Sequence, residues 1–139
     1  MPASPVTATQ EAPLRSPWLT VILAWLVPGA GHFLLGRKGR GAIIFCSVLL
    51  AFTVGLLMRG PMFLPTSTGD VLSRLIQFAG FIGDLANGVL YFIAMGLGYW
   101  PPDQATHLAD YGSKLIVAGG VLNVLGMVDA YEIATRQKD

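Results

Sequence analysis

Charge is what this chain has least of. Lys and Arg number 9 and Asp and Glu 8 in 139 residues, so charged side chains make up 12 % of a sequence that is 53 % hydrophobic. A water-soluble domain carries about 25 %, and too little charge is present here to coat a surface facing water. The net charge of +1 also excludes a nucleic-acid binder, which needs Lys and Arg clustered over an extended face. Cysteine is nearly absent. Cys46 stands alone inside an apolar run, so it forms no internal disulfide, and it is read as a small core hydrophobe. With two histidines there is no HExxH pattern, no pair of cysteines and no Ser-His-Asp arrangement. No enzymatic activity, metal site or cofactor is therefore expected. Asp129 and Glu132 share a helix face, but no histidine or third carboxylate lies close enough in sequence to complete a metal site, and Arg136 follows Glu132 at ion-pair spacing.

What the chain does have is apolar segments of membrane-crossing length. Four emerge, about 18–35, 41–58, 71–100 and 111–133, where about 20 residues suffice to span the hydrocarbon core. The expected fold is all-α and integral to the membrane, with about four transmembrane helices over 18–135. A disordered Pro-, Ala-, Ser- and Thr-rich tail precedes them (1–17) and a short polar tail follows (136–139). The first segment carries Pro28-Gly29 and is expected to kink there, because proline removes a backbone donor and crowds the preceding turn. It is longer than a signal-peptide core and runs directly into a basic stop, so it is expected to remain uncleaved. The basic residues on the two sides nearly balance, so their count leaves the orientation open; the loop Arg37-Lys38-Gly39-Arg40, the densest basic cluster in the shortest connection, favours the cytoplasmic side for that loop. The segment 71–100 is longer than one crossing requires at about 1.5 Å per residue, and Pro101-Pro102 is expected to end it. No internal repeat is evident.

Several polar residues lie inside these segments. Pro28, Gly29 and Gly31 have two readings: a broken helix that lines a site, or a kink whose small residues let another helix approach. Only one such break is visible, which favours the second. His32 is expected to bond a backbone carbonyl of a partner helix, with a pH-sensitive or headgroup contact as the alternative. The cluster Arg37, Lys38 and Arg40 either attracts anionic lipid or only sets topology. A carboxylate within a membrane segment marks a functional or paired position, which singles out Asp84. Asn87 shares its face, and Gly80 and Gly88 flank it. In the fourth segment Gly112, Ile116, Gly119, Asn123, Gly126 and Ala130 form a similar narrow stripe. Antiparallel packing would bring Asp84, Asn87 and Asn123 to one depth, where an asparagine amide would donate to the carboxylate. Otherwise Asp84 is protonated, or water or a cation such as His32 or Arg74 has to reach it; if the segment crosses only from about Phe81 onward, Asp84 lies at the interface instead. Gly29 and Gly31 begin a GxGxxG pattern, but position 34 is leucine and no strand precedes it, so it is not a nucleotide fingerprint.

The stretch Trp25 to Arg37, continuing through Gly39 and Gly41-Ala42-Ile43-Ile44-Phe45, and the closing stretch Ala118 to Ala134 together resemble DUF6677, a small bacterial membrane family of unknown function. The first hairpin is similar to that of the TM2 domain, departing at Leu34, where tyrosine is usual, and in having two further helices. The resemblance implies a multi-pass protein of the bacterial inner membrane and carries over no catalytic residue. The leading expectation is a non-enzymatic interaction, scaffold or lipid-contacting component. Its partners would be membrane lipids, and a protein partner or a second copy met through the glycine-rich faces. The alternative is a small transporter or an ion- or proton-conducting subunit that acts as an oligomer and uses Asp84.

Overall fold

A computed structural model describes residues 16–65, 67–100 and 106–137. The described residues form six helices and no strand: α1 Pro17–Leu26, α2 Ala30–Leu34, α3 Lys38–Leu57, α4 Val71–Leu85, α5 Val89–Gly96 and α6 His107–Ala134. Residues 1–15 of the expected tail, Pro101-Pro102 and the terminal Lys138-Asp139 lie outside the described residues. Pro17, assigned to the tail from the sequence, opens α1, a position where its missing N–H costs no helical bond.

Two helices, α3 and α6, are long and apolar enough to cross a membrane, and α4 with α5 makes a third only if that bent pair counts as one span. The long pair packs antiparallel through small residues. A Cβ at Gly55 would lie 2.7 Å from the Gly112 carbonyl oxygen, one at Gly119 3.5 Å from that of Val48, and one at Gly126 3.1 Å from Ile44. Every residue of the stripe Gly112, Ile116, Gly119, Asn123, Gly126 and Ala130 is buried. The missing side chains let the backbones approach, and these contacts lie within the chain.

The segment 18–35 does not form one kinked helix. A Cβ on Gly31 would lie 2.9 Å from both the Thr20 carbonyl oxygen and the Ala24 methyl. In a continuous helix eleven residues span about 16 Å, so the chain reverses between them. Gly29 makes the reversal feasible with φ 78°, and its backbone lies against Gly41 at the start of α3, where any side chain would strike the Gly41 carbonyl. Trp18 stacks obliquely on Tyr131, with ring centroids 6.2 Å apart. Trp25 lies against Asn123, and Gly31 is back beside Ala130. The segment thus enters beside the end of α6, reaches its middle and returns.

The segment 71–100 is also interrupted, at 86–88, with α4 and α5 inclined by 99°. The α4 helix runs parallel to α6: Gly83 meets Val117 and Gly120, and Ala86 meets Gly120 and Asn123. The chain then turns at Gly88 (φ 63°), and α5 heads back towards the end it came from. The Tyr99 hydroxyl lies 3.1 Å from the carbonyls of Leu56 and Gly60, which close α3. The continuous third helix expected from the sequence is therefore two helices. Asn87-Gly88 is a turn dipeptide embedded in apolar residues, and tertiary contacts let the chain turn there.

The order of elements thus repeats: a broken apolar element followed by a long helix, once entering from each end. The two halves are not packed equivalently, because α1 and α4 both lie on α6. Cys46 departs from its expected core position and is exposed on α3. Cys46→Ala is expected to change thermal stability by less than about 0.5 kcal/mol; a loss of several kcal/mol in thermal unfolding would contradict this placement.

Candidate functional site

The two turns meet tip to tip. Breaking a helix frees carbonyls that hydrocarbon cannot satisfy, and here the opposing element and α6 satisfy them. The Trp25 indole donates to the Leu85 carbonyl at 3.2 Å. The Asn123 amide donates to Ala86 at 2.9 Å and to Trp25 at 3.2 Å, so one side chain of α6 ties both breaks together. The Asn87 amide lies 2.9 Å from the Ile116 carbonyl and 3.2–3.3 Å from those of Asp84 and Gly83. Gly88 makes this closeness possible, since a Cβ there would fall on the Trp25 carbonyl.

The antiparallel packing expected of these segments is not found, since α4 runs parallel to α6; Asp84 and Asn87 lie at the break beside the α6 residue Asn123, but not joined by the bond expected. Neither amide donates to the carboxylate. Asp84 Oδ2 accepts from the Phe63 backbone N–H at 2.6 Å, an interaction supplied by the loop after α3. That loop is held by Ser113, whose hydroxyl donates to the Pro61 carbonyl, and by Phe63, whose ring lies on Gly80. All three junction side chains are 0 % exposed. Asp84 Oδ1, Asn87 Oδ1 and Asn123 Oδ1 make no hydrogen bond to any described protein group. The amide and indole donors at the junction are directed at backbone, and side-chain oxygens are left over.

A second cluster lies at the end of the bundle where α6 terminates. His32 is fully buried and its Nε2 lies 2.8 Å from Asp129 Oδ2, so the expected backbone partner is replaced by a carboxylate 97 residues away. That placement also removes His32 as a cation for Asp84. The Arg40 guanidinium approaches the same oxygen at 3.6 Å and is 44 % exposed. Asp129 was read from the sequence beside Glu132 and Arg136; its pairing with His32 and Arg40 was missed because it depends on the reversal at Pro28-Gly29. Arg37 and Lys38 are exposed beside this cluster, at the start of α3. Pro28, Gly29 and Gly31 are buried in the turn itself. Among the described residues no three His, Cys, Asp or Glu side chains group as metal ligands. Asp70, at the start of α4, accepts from the Ser73 hydroxyl, which holds its carboxyl below the usual range.

A family model described as a family of unknown function, DUF6677, matches residues 19–139. No curated protein and no solved structure matches the chain.

Proposed function

The chain belongs to DUF6677, a family of unknown function, and we propose that it is a non-enzymatic multi-pass protein of the bacterial inner membrane that handles small ions. In this reading α3 and α6 cross the bilayer, the loop of Arg37, Lys38 and Arg40 faces the cytoplasm, and the two broken elements are re-entrant from opposite sides. One observation carries it: two interrupted elements, entering from opposite ends, meet at mid-depth around a buried carboxylate and two buried amides. Irregular backbone at membrane depth is tolerated where protein buries it, and discontinuous helices at the midplane are a recurring way to build ion and substrate sites. The second break answers the objection that a lone break signals only close packing. Few helices enclose little volume, so the functional unit is an oligomer.

The test is reconstitution into liposomes with ion-selective and pH-sensitive dyes. Ion or proton flux above that of empty vesicles is expected, and Asp84→Asn is expected to reduce it at least tenfold while leaving the protein monodisperse. Absence of flux in several lipid compositions would refute the reading. A scaffold or lipid-contact role is the second reading, and the exposed basic side chains of Arg37, Lys38 and Arg40 favour it. Replacing all three with glutamine would then abolish capture on vesicles containing anionic lipid, or of a protein partner copurified in native-lipid particles.

A further inference from the structure

Resting on that ion-handling reading, we infer that the junction of the two broken elements is a binding site for a desolvated monovalent metal cation, with Asp84, Asn87 and Asn123 supplying oxygen ligands. The argument is one of donors and acceptors. An asparagine offers two N–H donors and one acceptor oxygen, and at this junction the amide N–H groups of both asparagines are committed to backbone carbonyls. The Trp25 indole is committed likewise. Three side-chain oxygens are left without a partner among the described residues, in fully buried positions. An orphaned buried polar atom calls for an explanation, and three at one junction share one chemistry.

That chemistry selects the ligand class. With the amide and indole donors committed to backbone, the junction offers little to an anion, whereas hard oxygen donors suit hard cations. Its one carboxylate is Asp84, so a single positive charge is what it balances. His32 is engaged with Asp129, and Arg74 is exposed on an early turn of α4. Further ligand positions exist on the backbone. The carbonyls of Trp25 and Ala86 accept the Asn123 amide, and each oxygen has a second lone pair. The fixed orientation of the asparagines follows from their amide bonds. Asn87 Oδ1 lies against α6 at Gly119, 2.9 Å from where a Cβ would stand, so the glycine keeps this face of α6 open to the oxygen. Asn123 is one turn farther along the same stripe. A bound cation would also join the two broken elements through groups that both already engage.

The test is thermal unfolding of the full-length protein in lipid nanodiscs at constant ionic strength, in choline chloride and with LiCl, NaCl or KCl replacing it. At least one alkali cation is expected to raise the midpoint by several degrees at about a hundredfold excess over its dissociation constant. Asp84→Asn, which keeps an acceptor for the Phe63 N–H, is expected to remain folded and lose the shift. Cys46→Ala is expected to keep it. Equal midpoints in all four salts for folded wild-type protein would overturn the inference and leave ordered water as the partner of these oxygens. Persistence of the full shift in folded Asp84→Asn would overturn it too. Should Asp84→Asn fail to fold, the wild-type protein decides the matter: its midpoint must rise with cation concentration at constant ionic strength as one bound cation per chain requires, and a midpoint independent of that concentration overturns the site. A cation shift without vesicle flux retains the site and removes the ion-handling reading, whereas proton flux without any cation shift does the reverse.

Discussion

Gly88→Ala and Gly120→Ala are each expected to abolish recovery of folded, monodisperse protein, although each adds a single methyl group. At Gly88 two effects add. The residue holds φ 63° and ψ −129°, a conformation that costs a residue bearing a Cβ about 1–3 kcal/mol. The new methyl would also fall on the Trp25 carbonyl. That carbonyl accepts the Asn123 amide, and the Trp25 indole caps Leu85, so moving Trp25 aside exposes several buried polar groups at once. Each such group costs about 1–3 kcal/mol when left unpaired, and a typical domain has only about 5–15 kcal/mol to lose. At Gly120 the methyl would fall on the Gly83 carbonyl and separate α4 from α6. The matched controls are Gly39→Ala and Gly96→Ala, where a Cβ meets nothing within 4 Å. Both are helical, so alanine there is neutral or stabilising by up to about 1 kcal/mol. Size-exclusion profiles of fluorescently tagged variants, followed by thermal unfolding, separate the two pairs. Parent-like behaviour of Gly88→Ala would mean that the two turns do not meet as described.

These glycines also mark how far the sequence reveals the fold. The stripe on α6 was legible because glycine and asparagine recur there at helical spacing, and that spacing is a local property of the chain. The helical character of all the segments was legible for the same reason. The reversals were not. Pro28-Gly29 announces an interruption, but whether the chain bends or returns depends on Gly31 meeting Thr20 and Ala24 and on Gly29 meeting Gly41. Asn87-Gly88 carries the composition of a turn, yet it sits in an apolar run whose length and hydropathy fit a continuous helix. Only the carbonyls of Trp25 and Ile116, from elsewhere in the chain, give that turn its lining. At the junction the polar residues that meet at the breaks stood out in the sequence, but their bonds did not. Polarity at a buried depth could be anticipated, but an amide beside a broken helix serves the nearest freed carbonyls first, and the loop residue Phe63 took the carboxylate. Phe63 gave no sequence signal at all, since its contribution is a backbone N–H.

Asp129→Ala is expected to lower stability by about 2–3 kcal/mol, below the about 3–5 kcal/mol for breaking a fully buried pair because the Asp129 side chain is 23 % exposed. His32 is 0 % exposed and its Nε2 faces the carboxylate, so it donates there; its Nδ1 has no partner among the described groups. Removing Asp129 therefore leaves an imidazole with both nitrogens buried and unpaired, which is worse than having no imidazole. The pair matters beyond its own energy because of what it joins. His32 sits on the returning arm α2, a helix of only five residues, too short to persist without tertiary contacts. Asp129 anchors that arm to the last turns of α6. If this is the arrangement, the double change His32→Leu with Asp129→Leu should restore most of the lost stability, since a buried ion pair can be replaced by apolar groups of similar size at little cost. Arg40→Gln should cost less than about 1 kcal/mol, being an exposed partner at long range. A double-mutant cycle read by thermal unfolding in lipid nanodiscs checks all three, and strictly additive losses at His32 and Asp129 would show that they are not partners. The same cycle read by vesicle flux has a different expected result. The His32–Asp129 pair and the Asp84 junction lie at different depths along α6, so the Leu-Leu protein should conduct as the parent does, which separates the part that holds the re-entrant arm from the part that meets the ion.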